Sequence, residues 1–186
     1  MVSEPLRLKL TYEDFLGFPE DAKRHELIDG EHYVTPAPSI RHQSVVAALT
    51  HWLRAHVLEA GLGLVLPAPV DAVLSEHDVV EPDLVFVSEE RRDRVTEPNI
   101  QGAPDLVVEV LSDSTRRRDE ITKRHLYERY GVREYWLIDP ELETVKVWGL
   151  GERGFERTTE LSLEWGDVLT ARVVPGFELH LSRLFS

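Results

Sequence analysis

Residues 103–120 read APDLVVEVLSDSTRRRDE. The run Leu106-Val107-Val108-Glu109-Val110-Leu111 has the length and β-branched content of a buried strand, with Pro104 before it and Ser112-Asp113-Ser114-Thr115 after it. Yet a carboxylate stands inside the run. Burying Glu109 without a partner costs several kcal/mol or forces it to take a proton. Next, Ser114 or Thr115 can cap a helix that runs to Tyr130 and stops at Gly131. Asp119, Lys123, Leu126, Tyr127 and Tyr130 fall on one stripe of that helix by i,i+3/i+4 spacing. REYWLIDP, residues 133–140, is strand-like again. A strand–helix–strand unit over about residues 105–139 implies a crossover between parallel strands.

Just upstream, residues 81–88 read EPDLVFVS, close to a repeat of PDLVVEV. Residues alternate faces along a strand, so Asp105, Val107, Glu109 and Leu111 share one face, as do Glu81, Asp83, Val85 and Val87. If the two strands are neighbours, Asp83 and Glu109 converge near one end of the sheet. Two carboxylates in a partly dry site repel, so one takes a proton or a cation joins them. A divalent ion with oxygen ligands fits, since magnesium takes one or two carboxylates and keeps several waters.

The remaining chain reads as short elements. Thr11 and Asp14 form a capping box for a helix over residues 12–18. RHELIDGEHYV carries the hairpin turn Asp29-Gly30. Ser39 caps a long helix to about Ala60, with Val45, Val46, Leu49, Trp52, Leu53 and Val57 on its apolar stripe and Gly61 beyond its end. Strand-like runs follow at about 63–66, 69–74 and 79–87, and Arg91 to Arg94 is a polar connection or short helix. Residues 143–182 form a β-rich tail with turns at Gly151-Glu152 and Pro175-Gly176. The pattern predicts an α+β (α/β-like) fold over residues 1–186 as one domain, with a central mixed sheet flanked by helices.

The bulk numbers agree. A chain of 186 residues with 42% hydrophobic content is large enough for one real core. Cysteine is absent, which excludes disulfides and thiolate metal sites. No stretch approaches a membrane span, and residues 1–15 lack an apolar export signal, so a cytoplasmic location is expected. A net charge of -13 argues against broad nonspecific attraction to phosphate, while leaving room for a local basic groove.

Each charged candidate carries a bland alternative. Asp83 is also a natural strand-start residue after Pro82, and Glu109 could pair with Arg117 or Arg133. Asp105 opens its strand rather than binding metal. Lys123, one of four lysines against 17 arginines, either snorkels over apolar surface beside Asp119 or supplies a point cation to a site. The face of Glu26 is undetermined, and His42 on the long helix can be an ordinary core histidine, flanked by Arg41 and Gln43. Arg116, Arg117 and Arg118, with Lys123 and Arg124, meet phosphates or form a solvated face. HELID lacks the second histidine of a zinc helix, and there is no Gly-rich phosphate loop or nucleophile-elbow serine.

Together HELIDGE, SIRHQSVVAAL, APVDAVLSEHDVVEPDLVFVS and GAPDLVVEVLSDSTRRRDEITKRHLYERYGVREYWLIDP resemble the Uma group, bacterial restriction-endonuclease-like proteins of the PD-(D/E)xK nuclease superfamily. The resemblance runs from about Tyr12 to Phe185. It implies a restriction-endonuclease-like fold, with Glu26, Asp83, Glu109 and Lys123 as catalytic residues. It implies Mg2+ or Mn2+ on Asp83, Glu109 and Glu26, and a nucleic acid, DNA, as partner. These nucleases place a lysine two residues after the strand carboxylate. Leu111 stands there, and Lys123 on the following helix is the matching candidate. His42, Gln43, Arg116, Arg117 and Tyr127 become candidates for substrate binding.

Two functions follow from this pattern: a metal-dependent nuclease hydrolysing phosphodiester bonds, or a non-catalytic module on the same fold that binds nucleic acid or protein. A homodimer is expected from the edges of the β-rich tail, with Trp148, Trp165 and Phe177 either at the subunit contact or in an ordinary core.

Overall fold

The computed structural model describes residues 8–19, 21 and 23–186. Residues 1–7, part of the segment in which no export signal was found, lie outside the described residues. The strand–helix–strand unit is present. Strand β8 (Leu106–Val110) pairs in parallel with β9 (Glu134–Asp139), joined by α3, which is π-helical over Arg118–Lys123 and α-helical over Arg124–Tyr130. Gly131 ends α3 with φ 76°, a left-handed conformation that favours glycine.

β8 and β9 lie inside a six-stranded mixed sheet, order β11-β10-β9-β8-β6-β3, with β3 (Gly63–Pro67), β6 (Leu84–Ser88), β10 (Thr144–Gly151) and β11 (Gly154–Ser162). A five-stranded sheet, β2-β1-β5-β4-β7, packs on one of its faces, built from β1 (Arg24–Ile28), β2 (Glu31–Thr35), β4 (Ala72–Ser75), β5 (Asp78–Val80) and β7 (Ile100–Gln101). The other face is covered by α2 (Ile40–Ala60) and by the tail elements β12 (Val168–Thr170), β13 (Glu178–His180) and α4 (Leu181–Leu184).

Alternation along β8 explains the layering. Leu106, Val108 and Val110 join Val45, Leu49, Leu53 and Val57 of α2 in one core. Val107 and Leu111 join Leu126 and Tyr127 of α3, with Ile28, Ala72 and Val80 of the second sheet, in another. Glu109 therefore faces α3. Outside the second sheet, Leu27, Val73 and Val79 pack against Tyr12 and Phe15 of α1 (Tyr12–Phe15).

Three expectations are corrected, and one open alternative is decided. The first helix ends at Phe15 rather than at residue 18. The run at 69–74 becomes a strand only from Ala72. The run at 79–87 is two strands in two different sheets, β5 and β6, with Glu81-Pro82-Asp83 between them. Proline has no N–H to give a ladder, and the chain crosses from one sheet to the other there. Finally, Phe177 is 3% exposed and stacks on Trp136, so it belongs to the core; Trp165 is exposed, and Trp148 lies under the Arg124 guanidinium.

Candidate active site

The β6–β8 register pairs Leu84 with Val108, so the next position along each strand brings Asp83 beside Glu109. Although Asp83 lies just outside β6, its Oδ2 accepts the Val110 N–H at 2.7 Å, which pins the carboxylate to the end of β8. The convergence read from alternation holds. Two further groups grip Asp83. His42 Nε2, from the first turn of α2, lies 3.2 Å from Oδ2, and Arg24 Nη2, from β1, donates to Oδ1 at 2.8 Å. Burial pushes the Asp83 carboxyl up, but the His42 and Arg24 contacts and the Val110 N–H outweigh it and hold the group at about 2.

Glu109 is the opposite case. Its Oε1 accepts from Lys123 Nζ at 2.9 Å and from Tyr127 OH at 2.6 Å. Burial drives its carboxyl up to about 8; Lys123 pulls it down, while Asp119, Asp83 and Glu26 add repulsion. Lys123 is 1% exposed and also lies 2.6 Å from Glu26 Oε1 and 3.8 Å from Asp119 Oδ1. Burial favours its neutral form, yet Glu109, Glu26 and Asp119 more than offset this and keep it an ammonium. Its stripe on α3 is therefore the inward face the spacing indicated. The first part of α3 is a π-helical turn, a geometry that concentrates at functional sites.

Glu26 points inward from β1, fully buried, with Oε1 also accepting the Glu81 N–H at 3.1 Å. Its Oε2 has no hydrogen-bond partner and lies 3.7 Å from Arg118 Nη2. Asp119 Oδ1 is a second buried oxygen without a hydrogen bond, and burial raises that carboxyl too.

Above these groups opens a cleft of about 410 Å³, whose lining includes Asp83, Glu109, His42, Gln43, Arg118 and Lys123. The other candidates sit elsewhere. Tyr127 is fully buried against Glu109, Arg116 is paired with Asp139 at 2.6 Å, and Arg117 is exposed outside the cleft. Neither arginine considered for Glu109 reaches it: Arg133 pairs with Asp105 at 2.9 Å. Asp105 accepts the Ser88 N–H and belongs to the sheet framework.

Sequence reasoning missed Arg24, which binds Asp83 and, through Nε at 3.0 Å, Glu81. The one available clue was its place two residues before Glu26, on the same face of β1.

A family model described as "Putative restriction endonuclease", Uma2, matches residues 12–182. The chain belongs to the Uma2 family. No curated protein matches it. Among solved structures it is similar to a protein from Anabaena variabilis described as a "putative nuclease belonging to DUF820", at 20% identity and TM-score 0.79, over 95% of this chain and 97% of the other. At that identity the likeness carries the fold alone, a mixed sheet flanked by helices.

Among the described residues no three His, Cys, Asp or Glu side chains gather at metal-binding distances. The donor set suits a hard cation of lower demand. Four carboxylates, Glu81, Asp83, Glu109 and Asp119, line the cleft, one buried oxygen each of Glu26 and Asp119 has no hydrogen bond, and burial, reinforced by its acidic neighbours, pushes Glu109 up. A Mg2+ ion needs only one or two such oxygens beside its waters.

Proposed function

We propose that this Uma2 protein is a Mg2+- or Mn2+-dependent nuclease that hydrolyses phosphodiester bonds in DNA, with Asp83 and Glu109 holding the ion. The observation that carries this reading is the convergence of Asp83, Glu109 and Lys123 at the floor of one cleft in a family of restriction-endonuclease type. When bound, a divalent ion there supplies Lewis-acid polarisation of the phosphoryl oxygen and a more acidic bound water.

The chain's own groups do the rest. Lys123 and Tyr127 aim Glu109 by binding the same oxygen, and Glu26 anchors Lys123 from behind. Lys123 also keeps a fixed positive charge facing the cleft, where negative charge grows on a phosphoryl group. His42 and the Val110 N–H hold Asp83 ionised, so it is ready to accept a cation at neutral pH. Arg118 and Gln43 line the cleft where a backbone phosphate would lie. A homodimer is part of the same proposal, since β11 is the end strand of its sheet and Trp165 nearby is exposed.

The test is cleavage of plasmid DNA, single-stranded DNA and RNA with Mg2+ or Mn2+, with EDTA as control. Cutting that needs the ion and is lost in Asp83→Ala and Glu109→Ala supports the proposal. Absence of Mn2+ binding by the wild type refutes it. One observation favours the non-catalytic module instead: Arg24 and Lys123 already neutralise the carboxylates from within. That reading predicts oligonucleotide or protein binding unaffected by Asp83→Ala, with no cleavage under any ion.

A further inference from the structure

Arg24 lines this cleft, and no expectation covered it. It comes from β1, in the second sheet, while Asp83 and Glu81 lie in the segment joining β5 to β6. Its guanidinium spans both carboxylates, with Nη2 2.8 Å from Asp83 Oδ1 and Nε 3.0 Å from Glu81 Oε1. The side chain is 18% exposed and lines the cleft, as do Asp83 and Glu81. The His42 ring takes Asp83 from the other side, at Oδ2, so Oδ1 is the oxygen that Arg24 alone covers among the described contacts. An arginine fork can release one contact and keep the other, because its five N–H groups point in different directions.

We propose that Arg24 is a positioning residue, which covers Asp83 Oδ1 while no divalent ion is bound and yields that oxygen to the ion. Glu81 keeps hold of Nε, and the released Nη2 edge turns to the phosphate of the nucleic acid. This rests on the nuclease reading above. Arg24 thus competes with the ion for one oxygen, and supports substrate binding once it has been displaced.

Calorimetric titration of Mn2+ into wild type, Arg24→Gln and Arg24→Lys, without nucleic acid, reads the competition directly. Binding of a single-stranded oligonucleotide in Ca2+ reads the second role. Arg24→Gln should bind Mn2+ about tenfold more tightly, the scale of one charge-assisted hydrogen bond no longer opposing the ion. The oligonucleotide should bind about tenfold more weakly to the same variant. Arg24→Lys keeps the charge but loses the fork, so its Mn2+ affinity should fall between the two. It carries the test alone should the glutamine variant fail to fold. A merely structural arginine would lower both affinities together. Mn2+ affinity unchanged or weaker in the variants, with wild type binding the ion, overturns the role of Arg24 and leaves the nuclease reading standing. No Mn2+ binding by wild type or variants overturns both.

Discussion

Replacing Lys123 by methionine removes the one ammonium buried among Glu26, Glu109 and Asp119, at 2.6, 2.9 and 3.8 Å. Methionine matches the length of the stem, so packing is nearly kept and the loss is electrostatic. Breaking a buried ion pair by deleting one partner costs about 3–5 kcal/mol, because the remaining charge is left dry. Glu109, with its carboxyl already at about 8, holds its proton at neutral pH and so leaves little charge dry there. Glu26 and Asp119 remain, each with an oxygen that has no hydrogen bond. A loss of about 3–5 kcal/mol is a large share of a typical total of about 5–15 kcal/mol. It corresponds to a fall in Tm of about 6–20 °C for a chain of this size. The loss should also grow with pH. A carboxyl whose folded pKa is raised contributes stability below its ordinary value and loses it as pH rises through the folded value. Without Lys123 the Glu109 value moves further up, so the deficit should be smaller at pH 6 than at about pH 8.5. Urea denaturation at both pH values, with a thermal melt, measures this. A loss under about 1 kcal/mol, the scale of an exposed pair, refutes the reasoning, as does a loss indifferent to pH.

Three other outcomes follow from the same geometry. Glu109→Gln should flatten the wild-type decline in stability between about pH 5 and 9, because the raised carboxyl that ionises through about 8 is gone; parallel wild-type and variant profiles by chemical denaturation would contradict this. Asp83 has the opposite sign: its lowered carboxyl stabilises above its ordinary 3.8 and that contribution is lost as pH falls through about 2, so Asp83→Asn should be less acid-sensitive than wild type in a titration followed by circular dichroism. Leu53→Ala, at a fully buried position of α2, should cost about 2–5 kcal/mol in urea denaturation while leaving Mn2+ binding unchanged.

Where a short-range rule governed an element, the chain alone predicted it. The 3.6 period of Val45, Leu49, Leu53 and Val57 and the cap at Ser39 define α2, as observed. Alternation in the two PDLV runs brought Asp83 and Glu109 together, and the stripe on α3 turned Lys123 inward. The run at 79–87 misled because its apolar content is continuous while its hydrogen-bonding partners change; only Pro82 marked the switch between sheets. Glu26 was undecided because Leu27 and Ile28 are both buried, one on each face of a sheet covered on both sides. His42 read as a core histidine, and its ring is indeed buried, but its Nε2 ends on a charge.

The sequence by itself determined the periodic elements, the crossover around Glu109, and the faces on which Asp83, Glu109 and Lys123 lie, since these depend on spacing within one segment. Only the tertiary structure decided what neutralises them. Arg24, Glu26 and His42 reach the site from β1 and α2, dozens of residues away in the chain. Long-range packing of one sheet on another sets that proximity, and no local period encodes it. The same packing dries the site, which is why Glu109 rises to about 8 while Asp83, gripped by the His42 ring and the Arg24 guanidinium, falls to about 2.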